Sequence, residues 1–136
     1  MIFNPVLSLA QLIHNKGNFI LGDTLFIHEI PFRTSGIALV QRAQRIGLNG
    51  RESTSIISIY GKENSGSSIH NRMLELLNDF VCNKICVLPA YNICNCQYVE
   101  DIPAIMVIET GIEDLGRDDN DYNLYRFEVM LTHTIC

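Results

Sequence analysis

Cysteine is the residue type in this chain best equipped for chemistry. Four of the five cysteines form two close pairs, Cys82-x3-Cys86 and Cys94-x-Cys96, with Cys136 standing apart. Four thiolates are a possible zinc cluster. A zinc knuckle, however, separates its paired cysteines by two residues, so that both sulfurs face one ion. Neither pair has that spacing. Cys82 ends a helical stretch, and Cys86 lies in a strand-like run, where a free cysteine behaves as a small hydrophobe. The segment Asn92-Ile-Cys-Asn-Cys96 is polar, and its two thiols are expected at the surface. The odd count leaves at least one thiol unpaired in any intramolecular scheme. Reduced thiols in a cytosol-like compartment, with no metal and no cofactor, are the expectation.

The other chemistry-bearing residues converge no better. Histidines 14, 28, 70 and 133 are dispersed. A pair such as Cys96 and His133 could in principle act as nucleophile and base, but no glycine elbow or helix start surrounds any cysteine. His28 and His133 read as strand-face residues, and His70 as an exposed helix residue. Asp118-Asp-Asn-Asp121 lacks the alternating ligands and the twelfth-position glutamate of a calcium loop. Gly61-Lys-Glu-Asn-Ser-Gly-Ser-Ser68 precedes a helix, yet its lysine comes too early to serve as a phosphate-binding P-loop. No catalytic residue is expected.

The elements that would position these groups are easier to read. Asn4-Pro5 offers a cap and a first helical residue. Val6, Leu9, Ala10, Leu12 and Ile13 continue as a short helix that stops near Lys16-Gly17. Strands are expected at 25–30, 36–41 and 54–60. A second helix covers about 67–81, with Ile69, Met73, Leu76, Leu77 and Phe80 on one stripe. Further strands are expected at 84–88, closed by Pro89, at 104–110, opened by Pro103, and at 124–134. In the last, Tyr125, Phe127, Val129 and Leu131 alternate with Arg126 and Glu128. Segments 90–103 and 111–123 read as long loops. The second carries Glu113, Asp114, Asp118, Asp119 and Asp121 against Arg117 alone, and self-repulsion is expected to keep it open.

The order α-β-β-β-α-β-β-β makes an α+β domain spanning 1–136. Its sheet of about six strands is mostly antiparallel and is covered by two helices. The length of 136 residues fits one domain. Such a chain buries roughly 68% of its unfolded surface. Ten basic against fifteen acidic residues, net −5, argue against sequence-specific nucleic-acid binding, which needs clustered Lys and Arg. No signal peptide and no membrane span are expected.

The run of elements resembles the tail-terminator, or tail-completion, proteins of tailed bacteriophages. The likeness rests on the N-terminal helix, the Gly22-Asp-Thr-Leu-Phe-Ile-His-Glu-Ile-Pro31 segment and the strand 36–41. It continues through Ile59-Tyr60 into the amphipathic helix and ends in the alternating strand 125–134. The resemblance implies a virion structural protein rather than an enzyme, assembled in the host cytoplasm. It implies a ring of six subunits at the head-proximal end of the tail, contacting the tail tube protein and the head-completion or neck protein, with DNA passing through. Asn92, Cys94, Cys96, Glu113, Asp114, Asp118, Asp119 and Asp121, on the two long loops, are the expected contact residues. Another neck or connector subunit, or a small cytosolic enzyme or ligand-binding domain, is the alternative.

Overall fold

The structure is a computed structural model and describes residues 4–48, 50–64, 68–83, 85–92 and 97–134. Helix α1, Pro5–Lys16, begins where expected, because the Asn4 Oδ1 accepts from the N–H groups of Val6 and Leu7 at 3.0 and 3.2 Å. It stops at Gly17, whose φ of 88° is the left-handed conformation that glycine adopts without penalty.

Six strands follow the expected order: β1 (Leu25–Ile27), β2 (Gly36–Ile46) and β3 (Glu52–Glu63), then, after helix α2 (Ile69–Cys82), β4 (Ile85–Asn92), β5 (Gln97–Arg117) and β6 (Asn123–Thr134). They form one sheet in the order β1-β2-β3-β6-β5-β4. Every pairing is antiparallel except β1 with β2. That exception departs from the rule that short connections join antiparallel neighbours. The chain turns back within residues 28–35, using left-handed backbone at His28 and Arg33, with φ of 74° and 59°.

Both helices cover one sheet face. Ile57 and Ile59 of β3, Phe127, Val129 and Leu131 of β6, and Met106 of β5 point into it. Helix α2 supplies Ile69, Met73, Leu76 and Phe80 as fully buried residues, while Leu77 sits only partly buried at the margin. Gly61 makes room for this helix: a Cβ there would fall 2.1 Å from the Met73 sulfur. Helix α1 touches β1 and β2 near one edge of the sheet and β4 at the other, so the sheet curls around the helical layer. Lys16 pairs with Asp79 between the helices. Arg72 donates to the Asn18 carbonyl at 3.1 and 2.6 Å and lies over the Phe19 ring.

Much of the two expected long loops is strand: β5 runs for 21 residues and takes in 97–103 of the first segment and 111–117 of the second, while residues 93–96 lie outside the described residues and 118–122 form a turn. Pro89 lies inside β4, an edge strand, where its missing N–H breaks no ladder on the outer side. Pro103 lies inside β5, opposite Val87 and just before β5 begins to pair with β6 at Ala104. Each proline therefore needs to donate on one side at most.

Candidate functional site

The face of the sheet away from the helices carries a polar ladder. In register across β3 and β6, Tyr60 lies opposite Arg126 and Ser58 opposite Glu128. From β2, the Arg42 Nη1 donates to the Tyr60 Oη at 2.9 Å. From β5, the Glu113 Oε2 accepts from the Arg126 Nη2 at 3.0 Å. Arg42, the extra residue of a bulge between Gln41 and Ala43, thus ties β2 to β3, Arg126 ties β6 to β5, and the Tyr60–Arg126 pair between them completes a ladder across four strands. On the helix-facing side, toward the β2–β3 turn, Gln41 and Gln44 donate to the hydroxyls of Ser55 and Ser53.

At one end of the sheet this ladder gives way to a cavity of about 300 Å³. Ala38, Tyr60 and Gly61 form one part of its lining, and Leu115, Leu124 and Tyr125 another. His28, Glu29 and Lys62 supply the polar groups. Glu63 fixes the neighbouring corner. Its Oε1 accepts from the His70 N–H at 3.1 Å, replacing the serine cap that α2 lacks, and its Oε2 accepts from the Tyr125 Oη at 3.3 Å. The His70 and Tyr125 rings stack at 4.6 Å. Burial, and then the Glu63 carboxylate, push the Tyr125 phenol up, so it stays protonated and donates.

The acidic residues lie beside this cavity. Glu113 and Asp114 belong to β5, and Asp114 accepts from the Gly116 N–H at 2.8 Å. Asp118 organises the β5–β6 turn. Its Oδ1 accepts from the N–H groups of Asn120 and Tyr122 at 2.9 and 3.0 Å, and its other oxygen lies 4.0 Å from the Lys62 Nζ. Those backbone bonds, Tyr122 first, hold its carboxyl below the usual range. Asp119 and Asp121 are exposed on the same turn. The expected open, self-repelling loop is therefore a short closed hairpin. Local N–H donors and Lys62 offset the charge that was expected to keep it open. Asp118→Ala is expected to strip hydrogen-exchange protection from the Asn120 and Tyr122 amides, while Asp119→Ala leaves it intact. Equal protection in the two variants would remove Asp118 from this role.

The remaining expected contact residues lie elsewhere. Asn92 ends β4 opposite Gln97, and its side chain lies outside the described residues. Cys94 and Cys96 also lie outside them, as does Cys136, while Cys82 is a free thiol exposed at the end of α2. Cys86 is in β4 opposite Ala104. Among the described residues no group of three or more His, Cys, Asp or Glu could hold a metal ion. His28 is exposed just beyond β1 rather than on a strand face, and His70 is half-buried against Tyr125.

His133 is buried on the core face of β6, and burial holds its imidazole below the ordinary histidine range. The unfolded chain takes up this proton near pH 6.5, the folded chain only at lower pH. The stability it contributes is therefore intact above about pH 6.5 and is lost as pH falls through the folded value. Urea midpoints measured from pH 8 to pH 5 are expected to fall, with a shallower fall in His133→Gln. An identical slope in the variant would rule the histidine out.

Nothing in the sequence marks Arg126 or Lys62 as site residues, and its pattern places Tyr60 only at the end of a strand. The alternation of β6 put Arg126 off the core face, but only the strand register places it between Tyr60 and Glu113. A scan against protein-family models and a search of curated proteins find no match to this chain. No helix among the described residues is long and apolar enough to cross a membrane.

Proposed function

We propose that the chain is a tail-terminator subunit of a tailed bacteriophage. On this reading it closes into a ring, of six copies by analogy, at the head-proximal end of the tail. There it stops growth of the tube protein and meets the head-completion or neck protein, with DNA passing through the ring. The observation that carries the reading is the α-β-β-β-α-β-β-β order folded as a single curled sheet with both helices on one face. This is the architecture that the resemblance of the sequence implies. Two features support it further. The sheet face away from the helices is tied across its strands by the Arg42–Tyr60–Arg126–Glu113 ladder. The hairpin ends of the sheet carry exposed apolar and charged residues, as a subunit with neighbours on both sides requires.

The test is electron microscopy of the purified protein, together with antibody labelling of virions. Rings in the images and label at the head–tail junction are the expected result. Label on the portal side of the neck would instead make the chain a connector subunit. An isolated monomer carrying a small ligand, with no label on particles, would overturn the virion role.

A further inference from the structure

The two ends of the sheet complement each other. At one end the β2–β3 turn pushes out an apolar tip: Leu48 is 111% exposed and Ile46 55%. The turn is held by Gly47 and Gly50, whose N–H groups donate to the carbonyls of Glu52 and Gly47, both at 2.9 Å. Arg45 and Arg51 flank the tip. At the other end lies the cavity of about 300 Å³, with Leu115 at its mouth, 44% exposed. That volume is the lower limit for small-molecule sites, and it suits one or two aliphatic side chains. Acidic groups outnumber basic ones around it: Glu29 in the lining and Asp114, Asp119 and Asp121 on the adjoining end of β5 and the β5–β6 turn are exposed, against Arg117 on the same end of β5 and Lys62, which is already paired with Asp118. Strand β3 joins the two ends, and from Glu52 to Tyr60 an extended chain covers roughly 26 Å at about 3.3 Å per residue. The tip of one molecule therefore cannot reach its own cavity.

We propose that the occupant of this cavity is the β2–β3 tip of a second copy of the chain. Leu48 and Ile46 enter the cavity, while Arg45 and Arg51 meet the acidic rim. The apolar groups supply the buried centre of the contact, and the opposed charges supply orientation and exclude tip-to-tip and rim-to-rim encounters. The two patches are different surfaces, so the contact is heterologous. Repeated head to tail, it closes as a ring when the rotation per subunit allows. The inference rests on the ring reading above and gives it a specific joint.

The experiment uses the full chain and two variants, each changed at an exposed position: Leu48→Asp, which spoils the tip, and Leu115→Arg, which spoils the mouth of the cavity. Association is followed by sedimentation velocity over a concentration series. Thermal unfolding checks that both variants fold as the wild type does. Each variant alone is expected to associate at least about 30-fold more weakly, the effect of losing one dominant interface side chain. Mixed in equal amounts, the two should form a dimer and stop there. The intact tip of Leu115→Arg enters the intact cavity of Leu48→Asp, and no further joint is possible.

The failures separate the two proposals. Rings that persist in both variants would overturn this contact and leave the tail-terminator reading standing. Open chains in the wild type that are abolished by Leu48→Asp would keep the contact and overturn the closed ring. A wild type that stays monomeric at millimolar concentration would overturn both. A mixture that fails to dimerise, where each variant alone has lost assembly, would show that the two positions are not partners and would overturn the contact.

Discussion

Phe127→Ala is expected to lower unfolding stability by about 3–5 kcal/mol, the usual range for removing a buried aromatic ring. Phe127 is fully buried, sits on β6 at the centre of the sheet, and lies opposite Ile59 of β3. Its cluster includes Ile57, Val129 and Leu131 from the sheet and Leu76 and Phe80 from α2. The core is anchored to strands on both sides, so it can close only part of the space left. A domain of this kind has about 5–15 kcal/mol in total, and the loss is a large fraction of that. Met130→Ala, three residues on and on the opposite face, should cost far less, because Met130 is only partly buried. Urea denaturation measures both. A change below about 1 kcal/mol for Phe127→Ala would mean that the helices do not pack on this face.

Gly36→Ala should cost about 1–3 kcal/mol or more, the range for forcing an extra carbon into packed structure. A Cβ at position 36 would lie 2.6 Å from the Thr24 carbonyl oxygen, 3.0 Å from its carbon and 3.1 Å from the Thr24 Cα. All three are backbone atoms. The same carbonyl accepts from the Ile37 N–H at 2.8 Å, so it cannot swing aside without losing that bond. The strain has to be relieved by moving β1 off β2. Thermal unfolding and exchange of the Ile37 amide report it. Wild-type stability together with a fully protected Ile37 amide would show that Thr24 yields freely. Gly61 contrasts with this position, because the atom it crowds is the flexible end of Met73.

The local features of the fold were legible because their causes are local. The Asn4 cap, the Gly17 stop and the α2 stripe each depend on residues within a turn or two. The alternation of β6 likewise needs only one buried face. The long hairpins were hidden for two reasons. Pro89 and Pro103 look like strand ends, and only the sheet order shows that one sits on an edge and the other just outside the stretch of β5 that pairs with β6. In addition, β5 shifts register between Ile108 and Thr110, again before Glu113, and again before Gly116. Each shift breaks the period-2 pattern, so an acidic strand with no steady alternation reads as a loop. The cavity was out of reach for a related cause: residues 28–30 meet Leu115 and Leu124 only through the pairing of strands distant in sequence. The element order alone identifies no neighbour across the sheet.

Helix α1 has a consequence for how the chain folds. It touches β1 and β2 near one edge of the sheet and β4 at the other, and β4 is made only after both helices and three strands. Its contacts with β1 are short-range in sequence, while those with β4 close one of the longest loops in the molecule. Long-range closure has an entropic cost before it is rewarded. During synthesis, α1 can cap itself with Asn4 and Gly17, but half of its docking surface does not yet exist. Helix α1, made before every strand of this sheet, is thus among the last of these elements to be secured. Until it is, β1 and β4 remain open edges on which a neighbouring nascent chain could pair.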